Sequence, residues 1–176
     1  MKNLSRNKKA LSPVIATVIL ISVTIVVAVS VAYWMGSIAS GYTSFEQIEL
    51  PTVYAKYGNF TDESGVSLDY GWKVTISLKN TVSADATVDD IFLNTIPLKD
   101  YSSGWALNWS TEKGEEGSTD ASKSYSSLNI TVTKGSTATL YLYLNRTVEG
   151  CSPGTTIDLK IHTASGRDYP THVKLP

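Results

Sequence analysis

Two patterns of apolar residues divide the chain. Leu11 to Phe45 contains no charged residue, and its centre, Val14 to Met35, is almost wholly apolar. Those 22 residues make a helix of about 33 Å at ~1.5 Å per residue, which matches a hydrocarbon layer of about 30 Å. Thirteen of the 18 residues from Val14 to Val31 are Val, Ile or Thr, a composition that favours strand in water. In lipid a lone strand leaves its backbone groups unpaired, so the same run is predicted to be a membrane-targeted helix. Gly36 and Gly41, among Ser37, Ser40, Thr43 and Ser44, weaken the helix near its end and read as the joint between stem and head.

From Ile48 onward the period is two. Val74, Ile76 and Leu78 alternate with Lys73, Thr75, Ser77 and Lys79, the pattern of a half-buried strand. The same alternation runs through Leu128, Ile130 and Val132, through Leu140, Leu142 and Leu144, and through Ile157, Leu159 and Ile161. Turn residues separate the runs at Glu63-Ser64-Gly65, Lys134-Gly135-Ser136, Ser152-Pro153-Gly154 and Ser165-Gly166-Arg167-Asp168. The last turn predicts a hairpin from Thr156–Thr163 to Tyr169–Leu175. Ser110 to Ser126, rich in Gly, Ser and Glu, is expected to be an exposed loop. Many short strands without a helical pattern predict an all-β, immunoglobulin-like sandwich for residues 46–176, without the Cys-Trp-Cys signature of antibody domains.

Charge sets the orientation. Met1 to Ala10 holds Lys2, Arg6, Lys8 and Lys9 and no acid, whereas Glu46 and Glu49 come after the apolar stretch. The positive-inside rule keeps the N-terminus in the cytoplasm and sends the β region outside. A secretory signal with a cut near Ser37-Ile38-Ala39 is one reading, although such signals have apolar cores of only ~7 to 15 residues. An uncleaved anchor is a second.

A third comes from resemblance. Lys8-Lys9-Ala10 followed by Leu11-Ser12-Pro13-Val14-Ile15-Ala16-Thr17-Val18-Ile19-Leu20 resembles the N-terminus of archaeal type IV pilins, with their class III signal peptide. The resemblance covers about residues 6 to 36. It implies that residues 1–10 are a leader removed after Ala10 by a membrane prepilin peptidase, which leaves Leu11 first and residues 11–45 as the filament-core helix. It also implies assembly by a secretion ATPase and a polytopic membrane platform protein. Ile15 stands where bacterial pilins usually have a glutamate, so the likeness is to the archaeal branch, and the Ser12-to-Ala16 run is closer to pilins than to archaellins. Pro13 fits the third mature position, because a helix's first turn has no partner for its N–H groups. Exposing some fifteen strongly apolar side chains to water would cost on the order of 5–9 kcal/mol, whereas moving the helix from lipid into a bundle of identical helices exchanges one apolar surround for another.

Removing the leader takes away four of the 15 basic residues and none of the 16 acidic ones, so the mature net charge becomes −5. With no basic cluster left, nucleic acid is not an expected partner. Cys151 is the one cysteine, which rules out an intramolecular disulfide and reads as a small buried hydrophobe.

Residues 46–176 contain six asparagines, and four begin glycosylation sequons: Asn59-Phe60-Thr61, Asn108-Trp109-Ser110, Asn129-Ile130-Thr131 and Asn145-Arg146-Thr147. By alternation Asn108, Asn129 and Asn145 point away from the core, as a bulky sugar requires. The competing reading is ordinary polarity at strand edges and turns. Asn3-Leu4-Ser5 lies in the cytoplasmic leader and is expected to be bare. Tyr141 and Tyr143 form an outward aromatic row, suited to sugars or neighbouring subunits and equally to an ordinary strand.

No catalytic residue, cofactor or metal site is expected. His162 and His172 both fall on the last hairpin but lack metal-ligand spacing, and Asp89-Asp90 and Glu115-Glu116 read as solvated acids rather than calcium ligands. There is no phosphate loop and no nucleophile elbow. The expected function is a structural pilus subunit, non-enzymatic, partnered with itself in a helical homopolymer and used for contact with surfaces or other cells. The rival is a membrane-anchored or secreted β-sandwich binding module, with sugars as candidate ligands, that does not polymerise.

Overall fold

A computed structural model describes residues 13–43, 46–61, 67–122 and 125–176. The leader, the Ala10–Leu11 junction and the Glu63-Ser64-Gly65 turn lie outside the described residues. The chain divides into two units at residues 44 and 45, a helical one and a β one.

The helical unit is α1, Pro13–Thr43, 31 residues and so about 46 Å long. It runs through Gly36 and Gly41, both expected to weaken it. A glycine costs only about 1 kcal/mol in a helix interior, too little to end a run that no proline interrupts. Tyr33, Trp34 and Tyr42 are exposed near its C-terminal end.

The β unit is a sandwich of two antiparallel sheets, as the period-two pattern predicts. Its strands are β1 (Ile48–Thr61), β2 (Ser67–Asn80), β3 (Ala86–Leu93), β4 (Ile96–Pro97), β5 (Trp105–Thr111), β6 (Glu116–Asp120), β7 (Ile130–Val132), β8 (Thr137–Asn145), β9 (Thr156–Thr163) and β10 (Asp168–Lys174). The first sheet has the order β1-β2-β8-β5-β6; the second has β10-β9-β3-β4, with β7 paired to β3. Alternation explains the core. Val74, Ile76 and Leu78 from β2, Leu140, Leu142 and Leu144 from β8, and Ile157, Leu159 and Ile161 from β9 are all buried between the sheets. Cys151 is buried with them, and burial raises its thiol pKa to about 11.

The stretch from Ser110 to Ser126 is not the plain loop its composition suggests. It holds the end of β5 and all of β6, paired from Ala106↔Asp120 to Ser110↔Glu116. Glu-Gly-Ser-Thr-Asp has weak strand propensity, but backbone pairing to β5 does not need apolar side chains. Gly117 permits it, because the indole of Trp109 occupies the space that a Cβ there would take.

Polar side chains fasten the ends. Asn80, fully buried, donates its amide to the carbonyls of Ala84 (2.7 Å) and Val132 (3.0 Å). Glu46, also buried, accepts from the Thr163 hydroxyl at the β9–β10 turn. The Trp72 indole N–H donates to the Pro176 carbonyl at 2.9 Å, which fastens the C-terminal residues to the sandwich.

Candidate functional site

No cluster of acid, base and nucleophile organises the described residues. Their distinctive surfaces are the helix and the outer face of the first sheet.

Every described residue from Pro13 to Ser37 on α1 is exposed. A β-branched, uncharged sequence gives this helix no polar side, and its hydroxyls are turned inward on their own backbone. Thr17 donates to the Val14 carbonyl (2.8 Å), Ser22 to Val18 (2.7 Å), Thr24 to Ile21 (2.8 Å) and Ser30 to Val26 (2.7 Å). These bonds satisfy the hydroxyls without a neighbour, as serine and threonine do in lipid-facing helices. What remains is a surface of methyl groups. From Pro13 to Tyr42 it is long and apolar enough to cross a membrane.

On the outer face of the first sheet, the register sets Tyr141 beside Asn108 and Thr75, and Tyr143 beside Ala106 and Lys73. The Lys73 ammonium lies over the Tyr141 ring at 4.2 Å from its centroid and 5.5 Å from that of Tyr143. Phe60 meets Tyr143 at 6.1 Å. The aromatic row is therefore only partly open: Tyr143 points outward as alternation requires, yet is 6% exposed beneath this second apolar cluster. Beside the row lies a groove of about 590 Å³.

The four sequon asparagines sit differently. Asn59 is exposed on β1 and accepts the Tyr70 N–H at 3.0 Å. Asn129 is exposed just before β7, in the left-handed region at φ 50°, with its side-chain amide 2.9 Å from the Ser127 hydroxyl oxygen. Asn145 ends β8, half-buried; its N–H donates to the Gly104 carbonyl at 2.7 Å. Gly104 (φ 87°) is required there, since a Cβ would come within 2.8 Å of the Thr147 hydroxyl. Asn108 points away from the core as expected but is half-buried, and its Oδ1 is shut from solvent without a hydrogen-bond partner among the described residues.

The remaining candidates resolve into local pairs. His162 bonds Asp168 and His172 bonds Asp158, each at 2.7 Å, so the two imidazoles face carboxylates rather than each other. His162 and Lys160 together hold the Asp168 carboxyl below its ordinary pKa. Asp89 takes the Ser127 hydroxyl, while its neighbour Asp90 turns to a different set: Lys99 Nζ (2.9 Å), the Tyr125 hydroxyl (3.0 Å) and the Ile91 N–H (2.9 Å). Sequence reading missed this cluster, because Lys99 and Tyr125 belong to no periodic run. Among the described residues no group of three or more His, Cys, Asp or Glu is placed to hold a metal.

No family model and no curated protein sequence matches the chain. Solved structures with some similarity include the flagellar-like filament Iho670 (11% identity, 93% of this chain and 98% of that one, TM-score 0.41). Others are the archaellum periplasmic stator protein FlaG of Sulfolobus acidocaldarius (11%, 73% and 99%, 0.37) and the archaeal flagellum of Methanospirillum hungatei (16%, 94% and 94%, 0.34). Likenesses at TM-scores below 0.5 identify neither fold nor function, and the functional reading rests on this chain's own residues.

Proposed function

We propose that the chain is a structural subunit of an extracellular archaeal type IV pilus, made as a membrane precursor with its N-terminus inside. The observation that carries this reading is α1: a long helix without a charged residue or a polar side, its hydroxyls satisfied internally, directly behind a basic leader. A helix apolar all round is stable only where apolar neighbours surround it, first lipid and then copies of itself. Prepilin peptidase cuts between Ala10 and Leu11, with Lys8 and Lys9 marking the site, and an ATPase and platform protein drive assembly. The β unit forms the filament's outer surface, carries sugars at Asn59, Asn108, Asn129 and Asn145, and makes contact with surfaces or other cells. It has no enzymatic role.

Deleting the gene and restoring it in its host tests this reading. Electron microscopy of the deletion strain should show the loss of one class of surface filament, and surface attachment should fall with it. Restoring the gene with Val23→Asp should leave the filament absent, because an acid at the centre of the helix opposes insertion by about 2.5–3.5 kcal/mol. Filaments of unchanged number in the deletion strain would refute the assignment and favour a β-sandwich binding module that does not polymerise.

A further inference from the structure

The groove on the outer face of the first sheet is lined by Asn108 and Ser110, the first and third residues of one sequon. They lie on the same face of β5, two residues apart, with Tyr141 across from Asn108 on β8 and Glu116 across from Ser110 on β6. Lys73 of β2 and Tyr143 of β8 complete the lining. Its volume of about 590 Å³ lies within the ~300–1,000 Å³ of small-molecule sites. The lining is amide, hydroxyl, carboxylate and ammonium over a tyrosine floor, the chemistry that suits a hydroxyl-rich ligand.

We infer that this groove is the seat of a saccharide linked to the chain's own Asn108. A sugar on the Asn108 amide emerges inside the groove, where its tether holds it at high effective concentration against Tyr141 and the Lys73 ammonium. The ammonium, fixed over two tyrosine rings, donates to ring oxygens or to a sugar carboxylate. Asn145, four residues beyond Tyr141 on β8 and so roughly 13 Å along the strand, lines a second depression of about 460 Å³ beside Gly104 and Asp120. Two sequons on one sheet face, each in a hollow, make the β8-β5-β6 surface the sugar-covered side of the head. The inference rests on the proposed glycosylation of the β unit.

The test uses the full-length protein from native filaments, dissociated in detergent, beside Asn108→Gln and Ser110→Ala chains from the same host. Ser110→Ala destroys the sequon while keeping Asn108, which separates loss of sugar from a folding fault. Site-resolved mass spectrometry should find Asn108 modified, and amine acylation of Lys73 should run several-fold slower in the native chain than in both variants. Exposed Lys134 should react equally in all three. Bare Asn108 with sugar on Asn59, Asn129 or Asn145 overturns the seat and leaves the glycoprotein reading standing. Four bare sequons sink both. A modified Asn108 with unchanged Lys73 reactivity means the sugar projects away from the groove, and slow Lys73 labelling that persists in both variants means something else fills it; either result overturns the inference.

Discussion

At Asp90 a carboxylate that is 5% exposed gathers donors from three parts of the chain: its neighbour Ile91, Lys99 after β4, and Tyr125 from the segment before β7. Removing it strands the Ile91 N–H of a buried residue and the hydroxyl of half-buried Tyr125, so Asp90→Ala should lower unfolding free energy by about 2–3 kcal/mol, and Tyr125→Phe by about 1, in denaturant titrations. Burial, and then the adjacent Asp90 charge, hold the Tyr125 phenol well above its ordinary range. A group with a raised folded-state pKa keeps its proton where the unfolded chain has lost it. Its stabilisation is therefore full below pH ~10 and declines as the pH rises further. Tyr125→Phe should flatten that alkaline decline. Cys151 acts in the same sense up to about pH 11, and as a buried thiol it should resist alkylation at pH 8 until the chain unfolds.

At the scale of elements, strands with a clean alternation were legible from residues alone. Leu140-Tyr-Leu-Tyr-Leu144 and Ile157-Asp-Leu-Lys-Ile161 state both their period and their buried face, and the β9–β10 hairpin is set by its turn. β6 was not legible, because nothing in Glu-Gly-Ser-Thr-Asp is apolar and its place depends on a partner, β5, that it completes. The same blindness applied to the outer face. Alternation says that Tyr143 and Asn108 point outward, but not that Phe60 and Lys73 arrive from other strands to cover the one and wall in the other. The Gly117–Trp109 contact offers an element-scale test. Gly117→Val sets a side chain where the indole lies, so it should destabilise the β unit by about 1–3 kcal/mol and red-shift tryptophan fluorescence by freeing Trp109.

As a whole molecule, the chain combines a helix that water does not tolerate with a β unit that owes nothing to disulfides. With one cysteine, thermal unfolding of the β unit should be unchanged by reducing agent. Stability instead comes from the two-sheet core and from the polar fastenings at Asn80, Glu46 and Trp72. The helix had the strongest sequence signal of all, an uncharged run of 35 residues, whereas the processing junction rests on a resemblance in the leader. The central claim, a processed subunit polymerised through α1, is tested most directly by the intact mass and N-terminal residue of the protein in filaments sheared from its host. A chain that begins at Leu11, in the filament fraction and heavier than its sequence by sugar masses, is the predicted result. A chain that begins at Met1 or near Ser40, found only in membranes or medium, would contradict it.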